Sequence, residues 1–109
     1  MTQNDHAVRG RTVRFHWHDG PTKGVTHEHR FHTDGTVEWH STKAGTPARD
    51  AERPPYVDEA IAPGIRLVSY LSRSGYTLTV VLNHHTGELK GVASNEQSWV
   101  PVHGKFEVV

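Results

Sequence analysis

The chain contains no cysteine and no excess of charge of either sign. Without cysteine there are no disulfide bonds, no thiolate catalysis and no zinc site with sulfur ligands, so only histidine and carboxylate side chains are left to bind a metal. Twelve Lys and Arg residues balance twelve Asp and Glu residues. Because nucleic acids and anionic membrane surfaces are bound through a basic excess, we expect neither as a partner.

Long apolar segments are also absent. The longest uninterrupted aliphatic stretch is 80–82, and the first ten residues lack the apolar core of a signal peptide. We therefore expect a cytoplasmic protein. A length of 109 residues suits one domain, which we expect at residues 10–109, after a flexible N-terminus at residues 1–9.

Apolar and polar residues alternate along most of the chain, which is the pattern of half-buried β-strands. Residues 42–55 interrupt it with Gly and Pro, which predicts one long loop with a single helical turn near residues 48–52. An antiparallel meander of this size usually closes, because closure removes exposed edges. The sequence thus predicts an all-β barrel of about eight strands, at residues 12–18, 25–33, 36–41, 56–62, 65–72, 76–82, 88–94 and 102–109.

Ten histidines are the unusual feature of the composition. In the predicted second strand, His27 and His29 share a face with Val25 and Phe31, whereas most other histidines fall on opposite faces or in turns. If the first two strands form a hairpin, residues whose numbers sum to about 44 lie opposite each other. The alternation therefore predicts two imidazoles in an aromatic interior, His27 near Trp17 and His29 near Phe15.

This pair has three interpretations that the sequence leaves open. Side chains at i and i+2 on a strand project to one side about 7 Å apart, which suits a metal pair or an acid/base pair. A metal would still need a third ligand. The third interpretation is a pair of hydrogen-bonded interior groups without reactivity. We take His27 and His29 as the candidate catalytic residues and, if a metal is bound, as its ligands.

Further candidates would contact a ligand inside the barrel. Arg49 in the long loop suits a carboxylate substrate if the loop covers one end of the barrel, and Glu96 follows a strand near the expected mouth. No glycine-rich phosphate loop or nucleophile elbow occurs. The remaining candidates are aromatic walls: Phe15, Trp17, Phe31, Tyr70 and Tyr76.

Five segments together resemble the MoaF-like family: 15–20 (FHWHDG), 33–39 (TDGTVEW), 67–77 (LVSYLSRSGYT), 94–99 (SNEQSW) and 103–107 (HGKFE). The resemblance covers residues 10–109 and consists of strand and turn patterns rather than catalytic signatures. It implies a calycin-like (lipocalin-like) barrel.

The layout is also similar to that of the bacterial phenolic acid decarboxylases, small dimeric barrels that need no cofactor. Their two tyrosine positions match Phe15 and Trp17, their arginine matches Arg49 or Arg53, and their glutamate position matches Ser72. Since the phenols and the acid are missing, the resemblance does not imply that decarboxylation here.

These observations predict a barrel that takes up a small organic ligand and needs no cofactor. It is either a lyase, isomerase or cyclase that uses interior histidines, or a non-catalytic carrier or sensor. A His-based metal protein and a purely structural dimer are the alternatives. The strand at residues 65–72 is apolar on both faces, so we also expect a homodimer with one such face in its interface.

Overall fold

The alternating pattern produces β-strands throughout the computed structural model, which describes residues 7–20, 22–42, 48–49, 53–72 and 75–109. Of residues 48–49 only the backbone is described. Within these ranges no helix is long and apolar enough to cross a membrane. The described residues form β1 (Thr12–Trp17), β2 (Thr26–Phe31), β3 (Val37–Ser41), β4 (Ala48–Arg49), β5 (Tyr56–Ala62), β6 (Ile65–Leu71), β7 (Thr77–Asn83), β8 (Glu88–Ser94) and β9 (Trp99–Val108).

All strands belong to one antiparallel sheet, in the order β4-β3-β2-β1-β9-β8-β7-β6-β5. Each strand pairs with its neighbour in sequence except β4 and β5, which do not pair with each other. The first strand, β1, pairs with the last long strand, β9, and β4 and β5 form the two edges. Near these edges Thr36 and Pro55 form an isolated bridge, and the Tyr56 amide donates to the Gly35 carbonyl over 3.0 Å. The sheet is therefore a curled, barrel-like structure, and the predicted all-β barrel-like fold is confirmed.

Alternate residues of each strand point into the barrel, as a period of two requires. Phe15, Phe31 and Leu82 are among the largest side chains of this core, and all are at most 1% exposed. Val8 is also 1% exposed, and its amide donates to Asp58 Oδ2 over 2.9 Å. The packing of the barrel thus begins before residue 10, where the sequence placed its boundary.

Two glycines allow neighbouring strands to approach closely. A Cβ at Gly91 would lie 1.9 Å from the Thr79 carbonyl oxygen, and one at Gly104 would lie 2.1 Å from the carbonyl oxygen of His16. Both residues lie inside strands, where a glycine often marks a close backbone approach. These positions therefore exclude every side chain larger than hydrogen.

Two local predictions need correction. In the β1–β2 hairpin, paired residue numbers sum to 42, as for Phe15 with His27, not to about 44. A shift of two keeps every side chain on its predicted face, so the interior location of the histidines is unaffected. In the long loop, Ala48–Arg49 pairs with β3 as β4 instead of starting a helical turn, and residues 50–52 lie outside the described part of the chain.

Candidate functional site: an aromatic cavity

A cavity of about 210 Å³ opens within the curl of the sheet. Its walls are predominantly apolar and include two tryptophans, Trp17 and Trp39, and no described residue that lines it carries a formal charge at neutral pH. The lining residues come from both halves of the sheet and the turns beside them: Trp17, Thr22, His27, Trp39, Tyr70, Ser72, Tyr76, Leu78, Ala93 and Val102.

His27 projects from β2 between the two tryptophans of the cavity. Its ring lies 4.7 Å from that of Trp39, centroid to centroid, and its Nδ1 accepts the Trp17 indole N–H over 3.0 Å. Because an indole N–H can only donate, this hydrogen bond requires an unprotonated Nδ1. The proton of the neutral ring is then on Nε2, so His27 provides a donor in the wall of the cavity.

His29 lies behind the wall rather than in it. It is 0% exposed and stacks on Phe15, with 4.2 Å between ring centroids. Its Nε2 is 2.7 Å from the hydroxyl of Tyr70, which does line the cavity. Either neutral tautomer of His29 satisfies this contact, since a hydroxyl can donate or accept. The buried imidazole therefore orients the Tyr70 hydroxyl, although the two residues are 41 positions apart.

Both histidines are kept neutral by their surroundings. Burial lowers the pKa of His27 from 6.5 to about 4, and the nearby His40 lowers it further. Burial also lowers the pKa of His29 to about 3, with a further contribution from His27 that the His27 backbone partly offsets. The cavity wall therefore presents a neutral imidazole, and the charged form of either ring is strongly disfavoured near pH 7.

The structure distributes the predicted site residues over several places. Trp17, His27, Tyr70 and Tyr76 line the cavity, as the sequence predicts. The predicted walls Phe15 and Phe31 do not: both are core residues that pack against His29.

Of the two charged candidates, Glu96 lies away from the cavity, and the side chain of Arg49 is not described. Glu96 is in the turn between β8 and β9 and lines a separate surface depression with Gly75, Asn95 and Gln97. The backbone of Arg49 pairs with Trp39 in β4, but its side chain lies outside the described part of the structure. Arg53, the alternative match to the decarboxylase arginine, forms a 3.4 Å ion pair with Asp34.

Trp39 and Ser72 are the main lining residues that the sequence did not select as site residues. Trp39 shares a face with the buried Val37, so strand alternation alone was enough to place it inside. Ser72 follows β6 and is 7% exposed. Its position was marked only by the match to the decarboxylase glutamate, and no local pattern points to it.

A metal centre finds no support in the described part of the chain, where no group of three or more His, Asp or Glu side chains is arranged to hold an ion. One ring nitrogen of each histidine of the central pair is also engaged. Trp17 occupies Nδ1 of His27, and Tyr70 occupies Nε2 of His29. A metal could therefore reach each ring only through its other nitrogen, Nε2 of His27 or Nδ1 of His29.

Comparisons with known proteins give information on the fold alone. No protein-family model matches the chain, and no curated protein matches its sequence. Among solved structures, the chain is similar to the crystal structure of a "putative beta-lactamase" from Burkholderia vietnamiensis, with a TM-score of 0.73 and 12% sequence identity. The match covers 94% of this chain and 95% of the other. At this identity the likeness shows that the two proteins share a fold.

Proposed function

We propose that the protein binds a small, single-ring organic molecule in the aromatic cavity. The observation that carries this proposal is that two polar groups of the inner wall are each held by a buried partner: Trp17 positions His27, and His29 positions Tyr70. Apolar walls with a few positioned polar groups are typical of ligand sites.

The dimensions support a ligand of about one ring. An engineered apolar cavity of about 150 Å³ in another protein accommodates benzene, and this cavity measures about 210 Å³. Trp17 and Trp39 offer ring faces for stacking. The Nε2–H of His27 would donate to an acceptor on the ligand, and the Tyr70 hydroxyl would accept or donate a second hydrogen bond.

The pKa values favour binding over acid–base catalysis. A general base works best when its pKa is near the operating pH, whereas the pKa values of His27 and His29 are about 4 and about 3. Proton uptake by either ring at neutral pH is therefore costly. For this reason we propose a non-catalytic carrier or sensor, in preference to a lyase, isomerase or cyclase.

The positions of the tryptophans allow a direct test. Two of the three tryptophans line the cavity, whereas Trp99 is 71% exposed on the outside. In a Trp99→Phe variant, fluorescence therefore reports on the cavity alone. We expect single-ring aromatic acids, phenols and amides, screened by fluorescence and by thermal shift, to include a compound that quenches saturably and raises Tm.

The same variant background then tests the assigned contacts. His27→Ala and Tyr70→Phe should each weaken the binding of such a compound about 3- to 10-fold, the value of one hydrogen bond. His18→Gln, at an exposed position, serves as the control and should bind as before. Affinities unchanged in both cavity variants would refute the site, and a screen without any saturable quenching would refute the proposed function.

The described residues that line the cavity do not include the groups that opening of a β-lactam requires. Serine-dependent opening of a β-lactam needs an activated nucleophile, usually with a lysine nearby, and no lysine is among the described residues that line the cavity. The metal-dependent route needs a ligand cluster, which the described residues do not form.

We also propose that the barrel is of the calycin type, as the MoaF-like resemblance implies. The order of the strands supports this, since a meander whose first and last long strands pair is the plan of an up-and-down barrel. A cytoplasmic location and a homodimer likewise remain our proposals. The absence of cysteine supports the former, and exposed apolar side chains on β5, β6 and β9 support the latter.

A further inference from the structure

A second concave site lies outside the aromatic cavity and shares no lining residue with it. It is a cleft of about 430 Å³ between the N-terminal segment and strands β5 and β6. Three of its six lining residues are arginines, and only one is acidic: Ala7, Arg9, Arg11, Tyr56, Asp58 and Arg66. The charges of the described lining residues therefore sum to plus two.

Arg66 occupies an inward position of β6, in the same row as Val68 and Tyr70, and is 7% exposed. Its Nε and Nη2 each lie 2.9 Å from Oδ1 of Asp58. The Nη1 group is not engaged by this pair or by any other described residue, so its N–H donors are available to the cleft. A buried guanidinium with free donors is a preorganised binding group for an oxyanion.

Asp58 cannot neutralise the remaining arginines. Its Oδ1 is occupied by Arg66, and its Oδ2 accepts the amide of Val8 over 2.9 Å. Arg9 donates to the carbonyl of Thr33, which carries no charge. Neither Arg9 nor Arg11 forms an ion pair with a carboxylate in the described part of the chain. Two positive charges thus face the cleft without a counter-ion from these residues.

We infer that this cleft binds the phosphoryl group of a small molecule. A dianionic tetrahedral group matches the surplus charge of two, and guanidinium donors suit phosphate oxygens better than a single ammonium does. Arg66 supplies the fixed donor at the base of the cleft, and the exposed Arg9 and Arg11 close on the remaining oxygens. The inference is independent of the proposed function, because the two sites have no residue in common.

Inorganic phosphate is the probe for this site, titrated by calorimetry and thermal shift into the unaltered chain at an ionic strength held constant with sodium chloride. We expect saturable binding and a rise in Tm. In an Arg9→Gln/Arg11→Gln variant the affinity should fall about tenfold or more, as expected for lost hydrogen bonds to charged groups. Both arginines are exposed, so the fold should survive, which circular dichroism checks.

Two controls separate this site from general charge attraction and from the cavity. Lys23→Gln/Lys90→Gln removes the same charge at exposed positions elsewhere and should bind phosphate as the unaltered chain does, as should Tyr70→Phe. The absence of saturable phosphate binding would overturn the inference. So would an equal loss in the lysine and arginine variants, or binding of acetate as tight as that of phosphate.

Discussion

The stability of the protein should decrease as the pH falls below neutrality, and His29 should account for a definable share of the loss. The ring is fully buried beside Phe15 and Tyr70, and its pKa falls from 6.5 to about 3 on folding. The unfolded chain therefore takes up a proton at a pH at which the folded chain does not. The contribution of His29 is fully present above pH 6.5 and is lost as the pH falls toward about 3.

The magnitude follows from the two pKa values. At about pH 5 the protonated form of the ring in the unfolded chain exceeds the neutral form roughly thirtyfold, while the ring in the folded chain is still neutral. This difference lowers the free energy of unfolding by about 2 kcal/mol relative to about pH 8. His27 acts in the same direction, but it is only partly buried, and solvent screening reduces its effect.

The assay is urea unfolding between about pH 8 and about pH 5, followed by far-UV circular dichroism. The free energy of unfolding should fall by about 2 kcal/mol more in the unaltered chain than in a His29→Gln variant, which lacks the titrating group. His18→Gln, at an exposed position, is the matched control and should keep the full pH dependence.

A direct measurement covers the case in which His29→Gln does not fold. In the folded unaltered chain, NMR of selectively labelled histidine should show no titration of the His29 ring between about pH 8 and about pH 5. Equal pH dependence in the unaltered and His29→Gln chains would refute the reasoning. A His29 titration midpoint near 6.5 would do the same.

Three further predictions concern stability and assembly. Tyr70→Phe leaves a buried imidazole nitrogen without its 2.7 Å partner and should lower the free energy of unfolding by about 1–3 kcal/mol in urea; no change would show that this contact is not formed. Gly104→Ala forces a Cβ to 2.1 Å from a backbone oxygen and should lower the free energy of unfolding by more than about 4 kcal/mol. Gly24→Ala, with φ +83 but open space around the new Cβ, should lower it by about 1 kcal/mol. Similar losses for both variants would refute the close approach at Gly104. Light scattering of the unaltered chain should give the mass of a dimer. The double variant Leu71→Asp/Trp99→Asp, at positions 60% and 71% exposed on the outer face, should give the mass of a monomer. A monomer mass for the unaltered chain at micromolar concentration would contradict the homodimer.

The candidate site was only partly accessible from sequence, and particular residues show why. Strand alternation placed His27 and His29 inside correctly, since the direction of a side chain depends on local position in a strand. Alternation does not say how deep an inward residue lies. Phe15 and Phe31 therefore appeared as cavity walls, although both are buried in the core beside His29.

The buried charge of Arg66 was also not predicted from the sequence. Arg66 has the same parity as Val68 and Tyr70, so its inward position was available from the sequence. This burial was not predicted because an arginine is almost never buried unless it is paired, and the partner of Arg66, Asp58, lies on a different strand. The pair becomes visible only when β5 and β6 are placed side by side in register.

By itself, the sequence determined the approximate positions of the eight longer strands, their inner and outer faces and most turns between neighbouring strands, because each depends on a few consecutive residues. Tertiary structure decided which distant strands meet: β1 with β9, and the bridge of Thr36 with Pro55. These contacts form only when the whole sheet curls. They give the protein its aromatic cavity, with Tyr70 held by a histidine 41 residues away, and its arginine-lined cleft.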